Sequence, residues 1–287
     1  KEEIFLLPPF NAKMVDAVVS GRKAISESAQ LRIYECTLAD LVAREKWNEL
    51  ESIVKSQRKK LQQFRSGIYK LTSFYYALEE GNGFVAGSNH LHHLWRLSLW
   101  LQKKPRSAAA RVALSRALLI IAQGKVGLPE DDKIVKSFDK VMPKTMAWAR
   151  KPDQAVLQLL DEARSLEPED PEILALTLKA RRLLKRPAEE VRPLIAQAQK
   201  KFPGYVPIWG QALLYETGLN PKFAWWEASL PPETLALVYN YASQLSLEPA
   251  SWPTLRVGFE RALEKFPNSL LLRTYFAKVC FYRQDPQ

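Results

Sequence analysis

Residues 163–168 read Ala163-Arg-Ser-Leu-Glu-Pro168, and 35 positions later the phrase returns as Ala198-Gln-Lys-Lys-Phe-Pro203. In each copy an alanine stands five residues ahead of a proline and closes an apolar stripe with helical spacing. Ahead of Pro168, Val156, Leu160 and Ala163 recur at i, i+4 and i+7; ahead of Pro203, Val191, Leu194, Ile195 and Ala198 do the same. After Pro168, Ile173, Leu176 and Ala180 supply a facing stripe. Proline cannot continue a helix, so it ends one element and opens the next.

Working outward, two more copies appear, Ala262-Leu-Glu-Lys-Phe-Pro267 and Trp100-Leu-Gln-Lys-Lys-Pro105, with Leu255, Phe259 and Ala262 before Pro267 and Leu271, Tyr275 and Val279 after it. The prolines are 63, 35 and 64 residues apart, one period near that of the tetratricopeptide repeat and two intervals near its double. The spacing predicts an all-α chain, a TPR-like helical-repeat solenoid of antiparallel helix pairs. Strand signals are weak, since no runs of β-branched residues alternate with polar ones between Asn-Gly or Asp-Gly turns. Expected organisation is an N-terminal segment (1–30), an N-terminal helical half (31–123), a linker (124–150) marked by Gly124, Gly127, Pro129 and Pro143, and C-terminal repeats (151–287) with an insertion at 219–232. Gly81 to Asn89, with three glycines in nine residues, reads as a loop.

Apolar residues make up 47% and charged residues 25% of the 287, so a sizeable core is expected. Val112 to Ala122, the longest apolar stretch near the middle, carries Arg116 and is about half the roughly 20 residues a bilayer-spanning helix needs. Lys1 where an initiator Met is usual reads as a chain truncated or processed at its start. Cytoplasm and periplasm both stay open. Cys36 and Cys280 lie at opposite ends and are expected as buried thiols rather than a disulfide.

Net charge is +11, and its placement is uneven. Residues 51–150 hold 18 basic and 7 acidic side chains, while the remainder holds 24 of each sign. A concentrated basic surface favours acidic partners, whether nucleic acid, anionic lipid or acidic protein. The candidate cations are Arg58, Lys59, Lys60, Lys103, Lys104, Arg106 and Arg111, with further runs at Lys179 to Arg186 and Lys200-Lys201. Lys103, Lys104, Lys200 and Lys201 also sit where the last turn of a helix favours positive charge.

Chemistry is sparse. The three histidines, His90, His92 and His93, cluster without a nearby Cys, Asp or Glu to complete a zinc set. No nucleophile elbow, P-loop or dinucleotide fingerprint occurs, so neither an enzyme nor a cofactor nor a resident metal is expected. Glu167, Glu169, Asp170 and Glu172 are expected as solvated charge capping a helix start. Aromatic residues crowd at Tyr205, Trp209, Tyr215, Phe223, Trp225 and Trp226. Because aromatic side chains dominate binding hot spots, Tyr205, Trp209, Tyr215, Trp225 and Trp226 are the expected partner-binding residues, forming the floor of a peptide groove. The leading expectation is a non-enzymatic module that binds another protein or peptide as scaffold, adaptor or immunity-type binder. The alternative is a nucleic-acid-binding repeat protein using residues 51–150.

Gly67-x-Tyr69-x-Leu71, Phe74-Tyr75, then Arg96-x-x-x-Trp100-Leu101 and Pro105-x-Ser107-x-x-Ala110-Arg111-Val112-Ala113-Leu114, with the later Phe202-Pro203-Gly204-Tyr205-Val206-Pro207, form a set. Over about residues 38–230 it resembles an uncharacterised bacterial family that carries a TPR-like domain of unknown function. Where that family tends to show Ala-Trp-x-Ala-Arg-Gly, this chain has Ile120-Ile-Ala-Gln-Gly-Lys125. The resemblance implies the fold and transfers no activity.

Overall fold

A computed structural model describes residues 27–64, 67–79, 88–124, 132–219, 230–241 and 252–282; these form fourteen α-helices and no strand. In chain order they are α1 (Glu27–Ala43), α2 (Trp47–Lys60), α3 (Lys70–Glu79), α4 (Ser88–Lys103), α5 (Ala108–Ala122), α6 (Asp132–Val141), α7 (Pro143–Arg150), α8 (Pro152–Leu166), α9 (Pro171–Leu183), α10 (Ala188–Lys201), α11 (Val206–Leu219), α12 (Pro232–Tyr241), α13 (Trp252–Lys265) and α14 (Leu270–Tyr282).

The proline phrase folds the same way in all four copies. The residue before the proline makes the last helical bond, its N–H donating to the carbonyl of the alanine or tryptophan: Lys104 to Trp100 at 2.8 Å, Glu167 to Ala163 at 2.9 Å, Phe202 to Ala198 and Phe266 to Ala262 at 2.8 Å. Two residues beyond the proline, an N–H returns to the carbonyl ahead of it: Ser107 to Lys104, Asp170 to Glu167, Tyr205 to Phe202 and Ser269 to Phe266, at 2.9 to 3.2 Å. This is a β-turn with proline at its second position, where the fixed φ of the ring is already correct. The turn then hands over to a helix cap. Ser107 Oγ accepts from the Ala110 N–H, Asp170 Oδ1 from Glu172 and Ser269 Oγ from Leu272. Trp100, Ala163, Ala198 and Ala262 are each fully buried, so this position lies where the helix packs against its neighbour, small in three copies and a large ring in the first.

A further position repeats. The residue six past the proline closes the turn by donating to the proline carbonyl: Arg111 Nη1 to Pro105 at 2.8 Å, Trp209 Nε1 to Pro203 at 3.0 Å and Arg273 Nη2 to Pro267 at 2.7 Å. The fourth copy has Leu174 there.

Two apolar clusters share one wall. Tyr34 through Ala180 form the first and Leu174 through Cys280 the second. In α9, Ile173, Leu176 and Ala180 face the first cluster, whereas Leu174, Ala175 and Leu178 face the second. A helix apolar on every side is a helix buried on every side. The same holds for α5, whose Ala108–Ile120 span is buried almost without interruption.

The stretch expected as a linker is not one. From residue 132 it is α6 and α7, and Met142, Met146 and Ala149 belong to the first cluster, while α8 packs on α5 across it. The apolar spacing of 138–149 is too short for a repeat, and its prolines and charges masked it. Of the expected loop at 81–89, only Ser88 and Asn89 are described, already in α4; most of the expected insertion, 220–229, lies outside the described residues.

Between α2 and α3 the chain makes the single β-bridge among the described residues, Gln63 with Tyr69. Gly67 adopts φ +87°, and a Cβ there would stand 3.2 Å from the Phe266 ring. Tyr69 donates to the Gly204 carbonyl at 2.9 Å and its ring lies 4.4 Å from that of Tyr205. The Gly67 and Tyr69 motif thus fastens an early segment to the second cluster. Both cysteines are free, Cys280 buried and Cys36 only half-buried.

Candidate functional site

Side chains of α1, α3, α5, α9 and α11 line a groove of about 300 Å³. Its sides are mostly apolar, with Leu31, Ile68, Ala175, Leu176 and Pro207 beside the polar Glu35, Ser73 and Gln211, and Tyr76 stands half-exposed at the edge. Its floor is charged. Arg116 donates to Glu79 through Nε and Nη2 and to Glu172 through Nη1 at 3.3 Å. Lys179 closes on Glu79 at 2.9 Å. Thr72 and Tyr205 both donate to Glu172 Oε2, at 2.9 and 2.8 Å. Two cations and two carboxylates therefore neutralise one another with 6%, 7% and 4% exposure at Arg116, Glu79 and Glu172.

The two carboxylates respond oppositely. Burial pushes Glu79 up, but the Arg116 and Lys179 charges overcome it and hold the carboxyl below its usual range. At Glu172 burial wins over Arg116 and the hydroxyl donors, and the carboxyl is raised. Burial, with the Glu172 charge next, drives the Tyr205 phenol well above its ordinary value, so it stays a hydrogen-bond donor.

A second network adjoins the first. Arg58 Nε meets Asp170 Oδ2 at 2.6 Å, its Nη2 donates to Tyr75 Oη at 2.8 Å, and Glu167 lies 3.5 Å away. Asp170 and Glu172 are thus not solvated capping charge. Asp170 does cap α9, but both side chains are closed off by α2, α3 and α5.

Several expected surface residues prove internal. Arg58 is committed to Asp170, and Arg111 to Glu162 at 2.9 Å and the turn before α5. Lys59, Lys60, Lys103 and Arg106 are exposed and Lys104 half-buried. Trp209 is fully buried and occupies the turn-closing position that Arg111 holds two copies earlier. Tyr215 is buried with its hydroxyl on the Arg186 carbonyl, and Tyr205 is buried beneath the groove. Trp209 and Tyr215 are thus enclosed within the second cluster, whereas Tyr205 also lines a recess with Tyr69, Phe202 and Phe266. Trp225, Trp226 and Phe223 lie outside the described residues.

His90 and His93 are also structural, their Nε2 atoms donating to the Ala117 and Leu78 carbonyls at 3.1 and 2.7 Å. His92 packs edge-on against Phe138 at 5.1 Å. Among the described residues, no three His, Cys, Asp or Glu side chains converge to hold a metal ion, and no helix is long and apolar enough to cross a membrane.

The sequence passed over Glu79 and showed Arg116 and Lys179 only as a charge in an apolar stretch and a member of a basic run, because their partners lie 37 to 100 residues away. One signal was present: Arg116 is a lone charge inside an apolar helix, and a buried charge must be paired. Against family models, curated proteins and solved structures alike, the chain finds no match.

Proposed function

We propose that this chain is a TPR-like helical-repeat module that binds another protein or peptide, without catalysis, in the groove between α1, α3, α5, α9 and α11. The observation that carries the reading is the groove itself, mostly apolar on its sides and with its floor charges paired, where internal ion pairs fix the walls in advance. Preorganised walls spare a ligand the ordering cost that otherwise opposes binding. The recurrent turn supports the repeat reading, since one geometry occurs at all four proline phrases. Resemblance to a bacterial family with a TPR-like domain points the same way. Nucleic-acid binding through residues 51–150, the other reading, loses Arg58 and Arg111 to internal pairs.

A photoreactive phenylalanine analogue at Tyr76 tests the proposal. Irradiation in the native host should give one discrete protein adduct that survives nuclease and disappears when Leu31→Lys is added. Adducts that nuclease removes, or none at all, would reject the groove as a protein-binding surface.

A further inference from the structure

On another part of the basic half, a second cavity of about 300 Å³ opens where α4, α5, α7 and α8 meet. We propose that it docks an acidic peptide, one of whose large apolar side chains enters the cavity while flanking carboxylates meet the cations at its mouth. This site is separate from the groove above and stands without it.

The walls are Leu101, Pro105, Met142, Pro143 and Trp148. At the bottom, the buried hydroxyls of Ser98 and Thr145 bond to each other at 2.6 Å, so the floor asks little of a ligand's polar groups. A cavity of this size suits one leucine or aromatic side chain, at the small end of ligand pockets.

Charge at the mouth is positive. Lys144 lines it, and Arg111 and the one lining carboxylate, Glu162, cancel as a pair at 2.9 Å, so the excess charge of the lining is that of Lys144. Burial raises Glu162, and the bonds from Arg111 and Gln158, with the Arg111 and Lys144 charges after them, outweigh that and leave it below its usual range, so it stays an anion held first by Arg111. Arg111 uses Nε and Nη1 for Glu162 and the Pro105 and Ser107 carbonyls, which fixes the guanidinium plane beside the opening. Lys103 and Arg106, both exposed, adjoin the lining residues Gln102 and Pro105 in the chain. Lys144 is exposed and rests its ammonium 4.9 Å from the centre of the Trp148 ring, within reach of a carboxylate.

An acidic peptide fits better than a nucleic-acid strand. Strand binding wants successive aromatic faces on which bases stack. Here a single ring is present, and the Lys144 ammonium already covers it.

The test is selection of a random 12-residue peptide display library on the immobilised 287-residue chain, followed by fluorescence anisotropy of the enriched peptides. Enriched sequences should carry one large apolar residue flanked by Asp and Glu. Their affinity should fall at least tenfold for Lys144→Glu, whose side chain is exposed and whose thermal melt should match the parent. Serine in place of the peptide's apolar residue should cost as much, and Tyr76→Ser in the groove should change nothing. The proposal is overturned if neutral or basic peptides are enriched, if none is, if Lys144→Glu leaves affinity unchanged, or if a single-stranded oligonucleotide displaces the selected peptides at lower concentration than they bind.

Discussion

Replacing Arg116 by Met should be among the most damaging single substitutions in the chain. The side chain keeps an unbranched apolar stem and loses its charged end, and Arg116 and the two carboxylates it links are almost wholly enclosed. Glu79 retains Lys179 at 2.9 Å, whereas Glu172 retains only the hydroxyls of Thr72 and Tyr205. One buried carboxylate is left without a cation, at a cost of about 3–5 kcal/mol near neutral pH. That is a large share of the ~5–15 kcal/mol that holds a domain folded. The loss carries a pH signature. Burial already raises Glu172 with Arg116 beside it, and removing the cation raises it further. A carboxyl whose folded pKa is raised takes up its proton in the folded state first, so the variant recovers stability as pH falls through that value toward 4.5. For each pH unit by which loss of the cation lifts that pKa, acidification narrows the gap to the parent by about 1.4 kcal/mol. Urea melts of both proteins at about pH 7.5 and pH 5.5 measure this directly. A loss below ~1 kcal/mol at the higher pH, or a gap that ignores pH, would refute the reasoning. Glu172→Gln is the companion: it keeps an acceptor for Thr72 and Tyr205, leaves Arg116 with Glu79, and should cost less than about 1.5 kcal/mol.

Three further outcomes follow from single contacts. Gly258→Ala improves helix propensity in α13 by about 1 kcal/mol yet should destabilise by ~1–3 kcal/mol net, because the new Cβ would stand 2.0 Å from the Pro232 carbonyl oxygen; thermal melts decide the sign. Trp209→Phe removes the donor to Pro203 and part of a fully buried ring, and a drop of about 1–3 kcal/mol in urea-derived stability is expected. Burial presses the His93 imidazole down to about 4, so its contribution is intact above 6.5 and is lost as pH falls from there to about 4. That window is worth ~3 kcal/mol, and His93→Gln, which still offers an N–H to Leu78, should flatten the pH dependence of the urea midpoint across it.

The helices were legible because their cause is local. A stripe at i, i+4 and i+7 ending in Ala163 and stopped by Pro168 specifies a helix, its end and its packed face from a short run of neighbouring residues, and the turn bonds at all four prolines follow from that local chemistry. Residues 132–150 were misjudged for the converse reason. Met142, Met146 and Ala149 are buried by α4, α5 and α8, and no local period announces a pair of helices that short.

Legibility failed at the site because residue type was read where position decides. Trp209 and Arg111 stood in two different candidate sets, one aromatic and one basic, yet both lie six residues past a proline and donate to its carbonyl. Either side chain can serve, and the turn also forms with Leu174 in that place, but where a long donor stands there it is drawn into holding the fold. The charges that do line the groove are there because α9 is walled on both sides. Its first turn, Asp170 and Glu172, cannot reach water, so the carboxylates that suit a helix start must be met by Arg58 and Arg116 from α2 and α5. Those pairs fasten early helices to later ones across 56 to 112 residues of chain. The same ion pairs that close the fold thereby set the spacing of the groove's walls, which is why loss of Arg116 should loosen the groove as well as the core.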